Sequence, residues 1–381
     1  MHHIMFHADI DGIVSAALFL NQTCGLKGNY KLYPLLSSSR GDKFNSMIEG
    51  IKKNCNDSDV ESSIIILDFE YHEKANVWID HHPNKNLGHG SIFNEKIHYD
   101  YKSMSTFELV FKYFNKNITN VIFRKNLEGM VNFVNMVDSA KYPSANYVFT
   151  NKDPGMLIYS YLETTFHAEM MFCRLVEMLA VNDLDLINVV SKMNITDASH
   201  NKLVKKAKEI KKYIEIYGNF TFVRQHRIYQ YPRYSENFLF PDIKYNVRVS
   251  PGSIREFFHV QISANSWSTE ANQFNIGQFI NKLSYIKGGG HFNVGGGSLE
   301  EKNLDKFLND FSELVNEKGD VTMEELEKYG VDHEADPIEK KADEMVKTGE
   351  AEDKDEARKK AVESEASKSV EESKEIVENE Q

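Results

Sequence analysis

Short apolar runs alternate with amphipathic stretches through the first half of the chain. Residues 2–6 (HHIMF) read as a short buried strand, and 13–20 (IVSAALFL) as the helix that follows it. A β-branched run at 62–69 (SSIIILDF) and another at 76–80 (NVWID) predict two more strands, with a helix at 43–53 ahead of them. Residues 104–115, 125–138 and 154–180 carry helical spacing. Strands that alternate with helices in this way predict a parallel sheet covered by helices.

The pattern changes after about residue 195. Leu203, Ala207, Ile210, Tyr213, Ile214 and Tyr217 recur at helical spacing among many lysines, which predicts a connecting helix over 196–218. Residues 219–224, 226–231, 245–249 and 257–264 then read as strands, and glycines cluster at 288–297. The reading is α/β in two parts. A parallel-sheet domain spans 1–195, a smaller α/β domain spans 219–318, and a charged, helical or disordered tail covers 319–381.

Composition refines this picture in three places. The net charge of −12 is concentrated at the C-terminus, where residues 332–381 hold 18 acidic against 9 basic side chains. The remainder is nearly neutral, so no broad basic field for tracking long nucleic acid is predicted, whereas a small anionic substrate is compatible. Cys24, Cys55 and Cys173 are widely spaced and odd in number, which argues against a disulfide framework or thiolate zinc site and for a reducing, cytoplasmic setting. No apolar stretch approaches a membrane span, and the N-terminus lacks the basic-then-apolar layout of a signal peptide.

The candidate chemistry begins at His7-Ala8-Asp9-Ile10-Asp11-Gly12. In extended chain, side chains at i, i+2 and i+4 share one side, so an imidazole and two carboxylates would converge where the first strand ends. Asp68 closes the second strong strand, and Asp80-His81-His82 closes the third. In open α/β sheets, sites form beyond the carboxyl ends of strands. Taken alone, HxDxD often reflects turn and capping roles, and a His-His pair is often surface decoration. Three strand ends together instead predict mixed imidazole and carboxylate ligands, which suit Mn²⁺, Zn²⁺ or Fe²⁺, with a shared carboxylate for two ions.

HADIDGIVSAAL, the IIIILDF aspartate, WIDHHP and GGGHFNVGGGSL together resemble the DHH phosphoesterase superfamily, in the branch with a C-terminal DHHA1 domain, over about residues 1–318. The resemblance implies two Mn²⁺ ions, or Mg²⁺ in some members. His7 and Asp9 would hold the first ion, Asp11, His81 and Asp138 the second, and Asp68 would bridge. His82 would contact substrate phosphate, with Asp80 orienting its neighbours. A metal-activated water would attack phosphorus. Gly288, Gly289, Gly290 and His291 would form a loop gripping the far end of the substrate. Where many relatives carry an arginine ahead of this loop, the chain has Asn265, a candidate substrate contact that leaves the substrate itself open.

The implied function is hydrolysis of short nucleotide substrates: short single-stranded oligonucleotides, 3',5'-bisphosphate nucleotides or dinucleotides. The alternatives are a pyrophosphatase or exopolyphosphatase, and a non-catalytic nucleotide-binding protein whose acidic tail docks a protein partner or mediates self-association.

Overall fold

The computed structural model describes residues 1–23, 28–36, 39–56, 62–82, 90–165, 169–224, 231–252, 256–268, 275–290, 292–316 and 347–348. They form two compact units. Unit 1 comprises residues 1–209 together with 232–238, and unit 2 comprises 210–231 and 239 onward. All but the last residue of the predicted strand at 226–231, and nearly all of the tail, lie outside the described residues.

Unit 1 is built on a six-stranded sheet. Its strands are β1 (His2–His7), β2 (Tyr30–Leu35), β3 (Ser63–Leu67), β4 (Val77–Asp80), β5 (Ser91–Phe93) and β6 (Ile97–Asp100), in the order β2-β1-β3-β4-β6-β5. Every pair is parallel except β5 with β6. Helix α1 (Ile10–Thr23) follows β1, and α2 (Asp42–Asn56) joins β2 to β3. The central strands are apolar because both faces are covered: Ile4, Met5, Phe6, Ile64, Ile65, Ile66 and Leu67 are all buried. Residues 10–20 of α1 are likewise buried without interruption. Such an all-round apolar helix belongs inside the molecule.

Among the described residues of unit 1, seven more helices follow in chain order. They are α3 (Thr106–Phe114), α4 (Val121–Asp138), α5 (Ala145–Thr150), α6 (Pro154–Thr164), α7 (Glu169–Val181), α8 (Leu186–Lys192) and α9 (Asp197–Glu209). Ser105, Asn120, Ser144 and Asp185 cap their helices through side-chain oxygens, the usual way of satisfying first-turn N–H groups. The short helix α10 (Ser235–Leu239) begins within the returning segment 232–238.

Unit 2 holds a second six-stranded sheet, made of β7 (Ile214–Tyr217), β8 (Phe220–Arg224), β9 (Tyr245–Pro251), β10 (Phe257–Ala264), β11 (Ile286–Gly290) and β12 (Val294–Glu300). The order is β11-β12-β10-β9-β8-β7. Helices α11 (Ile276–Lys282) and α12 (Leu304–Asn316) supply Phe279, Phe307, Phe311 and Leu314 to its core, beside Phe220, Tyr245 and Val260. The helix predicted over 196–218 ends at Glu209, and Ile214–Tyr217 is instead an edge strand paired with β8. Ile-Glu-Ile-Tyr-Gly-Asn-Phe-Thr-Phe alternates with period two around a Gly-Asn turn, and Gly218 sits at φ +57. That is hairpin chemistry, and it outweighs the helical spacing that the same apolar residues also satisfy. Among the described residues no helix is long and apolar enough to cross a membrane.

Gly12 fixes how α1 leaves β1. A Cβ built there would stand 2.2 Å from the His7 carbonyl oxygen and 2.8 Å from its nitrogen, both backbone atoms that cannot swing away. We therefore expect Gly12→Ala to lower stability by about 1–3 kcal/mol, as overpacking does, in urea unfolding followed by circular dichroism. An unchanged midpoint would show that β1 and α1 separate more freely than the contact implies.

Candidate metal centre

The HxDxD segment does not stay extended. Only His7 belongs to β1; Asp9 precedes the first turn of α1 and Asp11 lies within it. Asp9 Oδ1 accepts the Gly12 N–H at 3.0 Å, and the Asp9 carbonyl accepts the Ile13 N–H. Asp9 is thus an N-cap residue. The predicted alternation along a strand is corrected accordingly. The three side chains converge because a tight strand-to-helix turn brings a cap and a first-turn residue back beside the strand end.

Asp68 follows β3 with φ +59, in the left-handed region, while its N–H donates to the Ile79 carbonyl on β4 at 3.0 Å. A non-glycine residue in that conformation costs of order 1 kcal/mol, least for Asp and Asn. The kink turns the carboxylate beneath the site, where Asp68 is 1% exposed. Asp80, at the end of β4, accepts three donors on one oxygen: the N–H groups of His81 (2.9 Å) and His82 (3.2 Å), and His82 Nδ1 (2.9 Å).

The sequence-predicted residues meet in three groups, each with ligand atoms mutually within 4.8 Å: His7, Asp9 and Asp68; Asp11, His81 and Asp138; and Asp68, His81 and His82. His7 Nδ1 lies 2.7 Å from Asp9 Oδ2 and 3.6 Å from Asp68 Oδ2. His81 Nε2 lies 3.2 Å from Asp138 Oδ2, 3.7 Å from Asp11 Oδ2 and 3.9 Å from Asp68 Oδ1. Asp138 reaches the group from the last residue of α4.

His7 Nδ1, His81 Nε2 and Asp68 Oδ2 are all buried, yet none makes a geometrically sound hydrogen bond. Buried polar atoms are ordinarily satisfied. Nitrogen and oxygen lone pairs that converge without bonding to each other are the arrangement a cation resolves. His81 Nδ1 also faces the Ser103 carbonyl at 3.0 Å. A carbonyl only accepts, so Nδ1 carries a proton, and Nε2 is the ring atom left to face the carboxylates and, on losing its own proton, to bind a cation. The residues present therefore fit divalent-cation binding, with Asp68 common to two of the groups.

Helix α3 supplies a support that sequence reasoning missed. Its N–H groups at Thr106 and Phe107 donate to Asp11 Oδ2 (2.7 Å) and Oδ1 (2.8 Å), and the Thr106 hydroxyl donates to Asp68 Oδ1 (3.0 Å). The positive end of a helix dipole thus faces two buried carboxylates. Ser105-Thr106-Phe107-Glu108 is a Ser-x-x-Glu cap signature, so the helix start was legible, but not its destination. Arg40 was also missed: its guanidinium lies 5.5 Å over the Phe69 ring, near His7.

Two expected substrate contacts in unit 2 have structural partners of their own. Asn265 is 1% exposed; its amide donates to the Pro241 (2.9 Å) and Ile243 (2.7 Å) carbonyls, and its oxygen accepts the Trp267 N–H. The side chain is consumed in bracing a loop, which a polar group of this reach does once it is buried. Gly288, Gly289 and Gly290 form edge strand β11 rather than a loop, opposite Gly297, Gly296 and Gly295 of β12. A Cβ at Gly288 would lie 2.2 Å from the Gly296 carbonyl oxygen, so close strand approach accounts for glycine there. His291 lies outside the described residues.

The electrostatics of unit 1 reflect crowding. Burial, then the charge of Asp138, pushes the Asp11 carboxyl up to about 7. Burial, then Asp11, Asp9, Asp80 and Asp138, raises Asp68 well above the carboxylate range. Burial opposes the imidazolium of His81, but Asp138, Asp11 and Asp68 outweigh it and push the ring up to about 10. His7 is raised in the same way by Asp9. Asp9 alone is lowered: burial opposes its charge, but His7, the Gly12 N–H and Arg233 prevail.

A raised pKa contributes stability that is complete below the unfolded value and is lost as pH rises through the folded one. Asp11 and Asp68 begin to lose theirs above the ordinary 3.8, Asp11 through about 7, and His7 and His81 add the same sign above 6.5. Asp9 acts oppositely, but only as pH falls below 3.8. With chelator present, the melting temperature should therefore fall from pH 5 to pH 8, and Mn²⁺ should remove most of the fall. Asp68→Asn, which keeps a side chain tolerant of left-handed backbone, should flatten the chelated profile and abolish the Mn²⁺ response. Equal slopes in both proteins would overturn this.

No family model matches the chain, and no curated protein matches it. Solved structures do. PggH, a pGpG-specific phosphodiesterase from Vibrio cholerae, superposes with a TM-score of 0.57 at 15% identity, covering 83% of this chain and 99% of that one. The DHH domain of a protein described as a member of the s1p family of ribosomal proteins gives 0.54 at 13% identity, over 83% and 86%. The exonuclease RecJ bound to manganese gives 0.46 at 10%, over 81% and 88%. In its parallel sheet and its second, mostly antiparallel sheet, the chain shares the fold of PggH and of that DHH domain.

Proposed function

We propose that the protein is a divalent-metal-dependent phosphoesterase that hydrolyses short nucleotide substrates. The observation that carries this reading is the pair of ligand groups, His7/Asp9/Asp68 and Asp11/His81/Asp138, whose buried imidazole nitrogens and Asp68 oxygen face one another unsatisfied. Two Mn²⁺ ions, or Mg²⁺, suit this mixed donor set. A bound pair of such ions lowers the pKa of water and offsets charge on a phosphoryl group.

The side chains have separable tasks in this reading. His7 and Asp9 would hold one ion and Asp11, His81 and Asp138 the other, with Asp68 within reach of both imidazoles. The α3 N–H groups fix the Asp11 carboxylate, and the Ser103 carbonyl fixes the His81 tautomer. Asp80 clamps His82 through Nδ1. The His82 side chain is 41% exposed, which leaves its free edge open to a phosphate oxygen. The likeness to a pGpG-specific phosphodiesterase supports a short nucleotide diester as the substrate class.

The test is turnover in Mn²⁺ across pGpG, longer 5'-phosphorylated oligonucleotides, 3',5'-bisphosphate nucleotides, pyrophosphate and polyphosphate. We expect hydrolysis of the short diesters, abolished by chelator and lowered at least about 1,000-fold in Asp68→Ala. His82→Ala should retain Mn²⁺ binding and lose about 100-fold in kcat, the scale of removing one positioned proton donor. Turnover of pyrophosphate or polyphosphate alone would redirect the function to phosphoanhydride cleavage. Nucleotide binding without turnover of any ester would overturn the enzyme reading.

A further inference from the structure

Residues 225–231 follow β8 of unit 2, yet the next seven residues, 232–238, pack with unit 1 before the chain goes back to form β9. This hook is tied down along its length. The Tyr234 ring meets Tyr142 edge to face at 5.7 Å, Tyr142 in turn packs on Tyr159 at 6.3 Å, and Phe238 lies 4.6 Å from Phe149. Ser235, Glu236 and Asn237 are buried, and Ser235 Oγ donates to the Pro232 carbonyl at 2.7 Å. Tyr234 itself holds φ +64, an unfavourable conformation for an aromatic residue that persists only where its surroundings over-determine it.

The strained residue is the neighbour of Arg233, and its anchor belongs to the metal centre. Tyr142 lies four residues beyond Asp138, past a turn in which Lys141 N–H donates to the Met136 carbonyl. The hook thus docks on the segment that delivers Asp138. The guanidinium of Arg233 acts electrostatically on Asp9, and the Tyr234 phenol feels Asp138, so the two residues neighbour both ligand groups. Part of the Arg233 surface stays exposed, and the carboxylate that acts on its guanidinium most strongly is Glu163, ahead of Asp9. Among the described residues its guanidinium closes no ion pair within 4 Å. Two divalent ions would offset the charges of Asp9, Asp11, Asp68 and Asp138, so that Arg233, held on one side by Glu163, would face an incoming anion on the other. Guanidinium presents a rigid fork that matches the oxygens of a phosphate.

We propose that Arg233 is a substrate-contacting residue that binds the phosphate held at the Asp9 side of the metal centre, with Tyr234 and Tyr142 as the positioning residues that fix it there. This rests on the phosphoesterase reading, and the experiment separates the two. In Mn²⁺ with pGpG as probe, Arg233→Ala should lower kcat/KM about 100-fold, while calorimetric Mn²⁺ affinity changes by less than about threefold. Arg233→Lys should recover about tenfold of that loss, and added methylguanidinium should partly rescue the alanine variant. A kcat/KM within about threefold of wild type overturns the proposal. So does loss of Mn²⁺ binding in both variants, which would make the arginine structural. If the wild-type protein turns over no ester, pGpG binding in Ca²⁺ still reads the arginine: about tenfold weaker binding in Arg233→Ala supports it, whereas equal or absent binding overturns it.

Discussion

Mutual repulsion among Asp9, Asp11, Asp68 and Asp138 is the constraint on which the rest of unit 1 depends. Two unit charges 4 Å apart near a protein surface repel by about 4 kcal/mol, and here several stand within 4.8 Å of a common imidazole. The fold answers this with oriented donors. Two N–H groups and a hydroxyl at the start of α3 face Asp11 and Asp68, the first turn of α1 donates to Asp9, and three donors converge on Asp80. The parallel sheet makes this feasible, because it ends its central strands on one edge and starts its helices there. What the donors leave uncompensated is what bound cations would offset on the proposed reading.

The uneven placement of ligands follows from that division. Asp11 and Asp68 are nearly inaccessible and saturated with protein donors on some oxygens, whereas Asp9 and Asp138 are partly open. Inner carboxylates positioned by backbone N–H groups have less room to move than the outer ones. On the proposed reading the centre would be rigid at its base and adjustable at its mouth, as suits a site open to solvent.

Much of this was legible in the sequence. His7, Asp9, Asp11, Asp68 and His81 stood out because strand ends in an α/β pattern must lie together. Asp138, at the end of a long helix, had no local signal and was reached through family resemblance alone. Less legible were features decided by distant partners. Asp9 and Asp11 share a side through a helix cap rather than through strand alternation, and both geometries fit the same spacing. The glycines at 288–290 signal close approach, but whether to a ligand or to the glycines of β12 depends on pairing that no short window contains. Asn265 looked like a substituted ligand contact because its carbonyl partners, Pro241 and Ile243, lie more than twenty residues away. Arg233 belongs to no sequence motif, and only the hook shows its neighbours.

The hook also has a topological consequence. The chain passes between the two units three times, near residues 209, 231 and 238, so no single break in the polypeptide parts them cleanly. A gene truncated after codon 209 would encode the whole parallel sheet and every residue of the carboxylate cluster, yet would leave Tyr142 and Phe149 without Tyr234 and Phe238. The two units are in this sense one heritable object: recombination that swapped the second for a foreign domain would also remove part of the first.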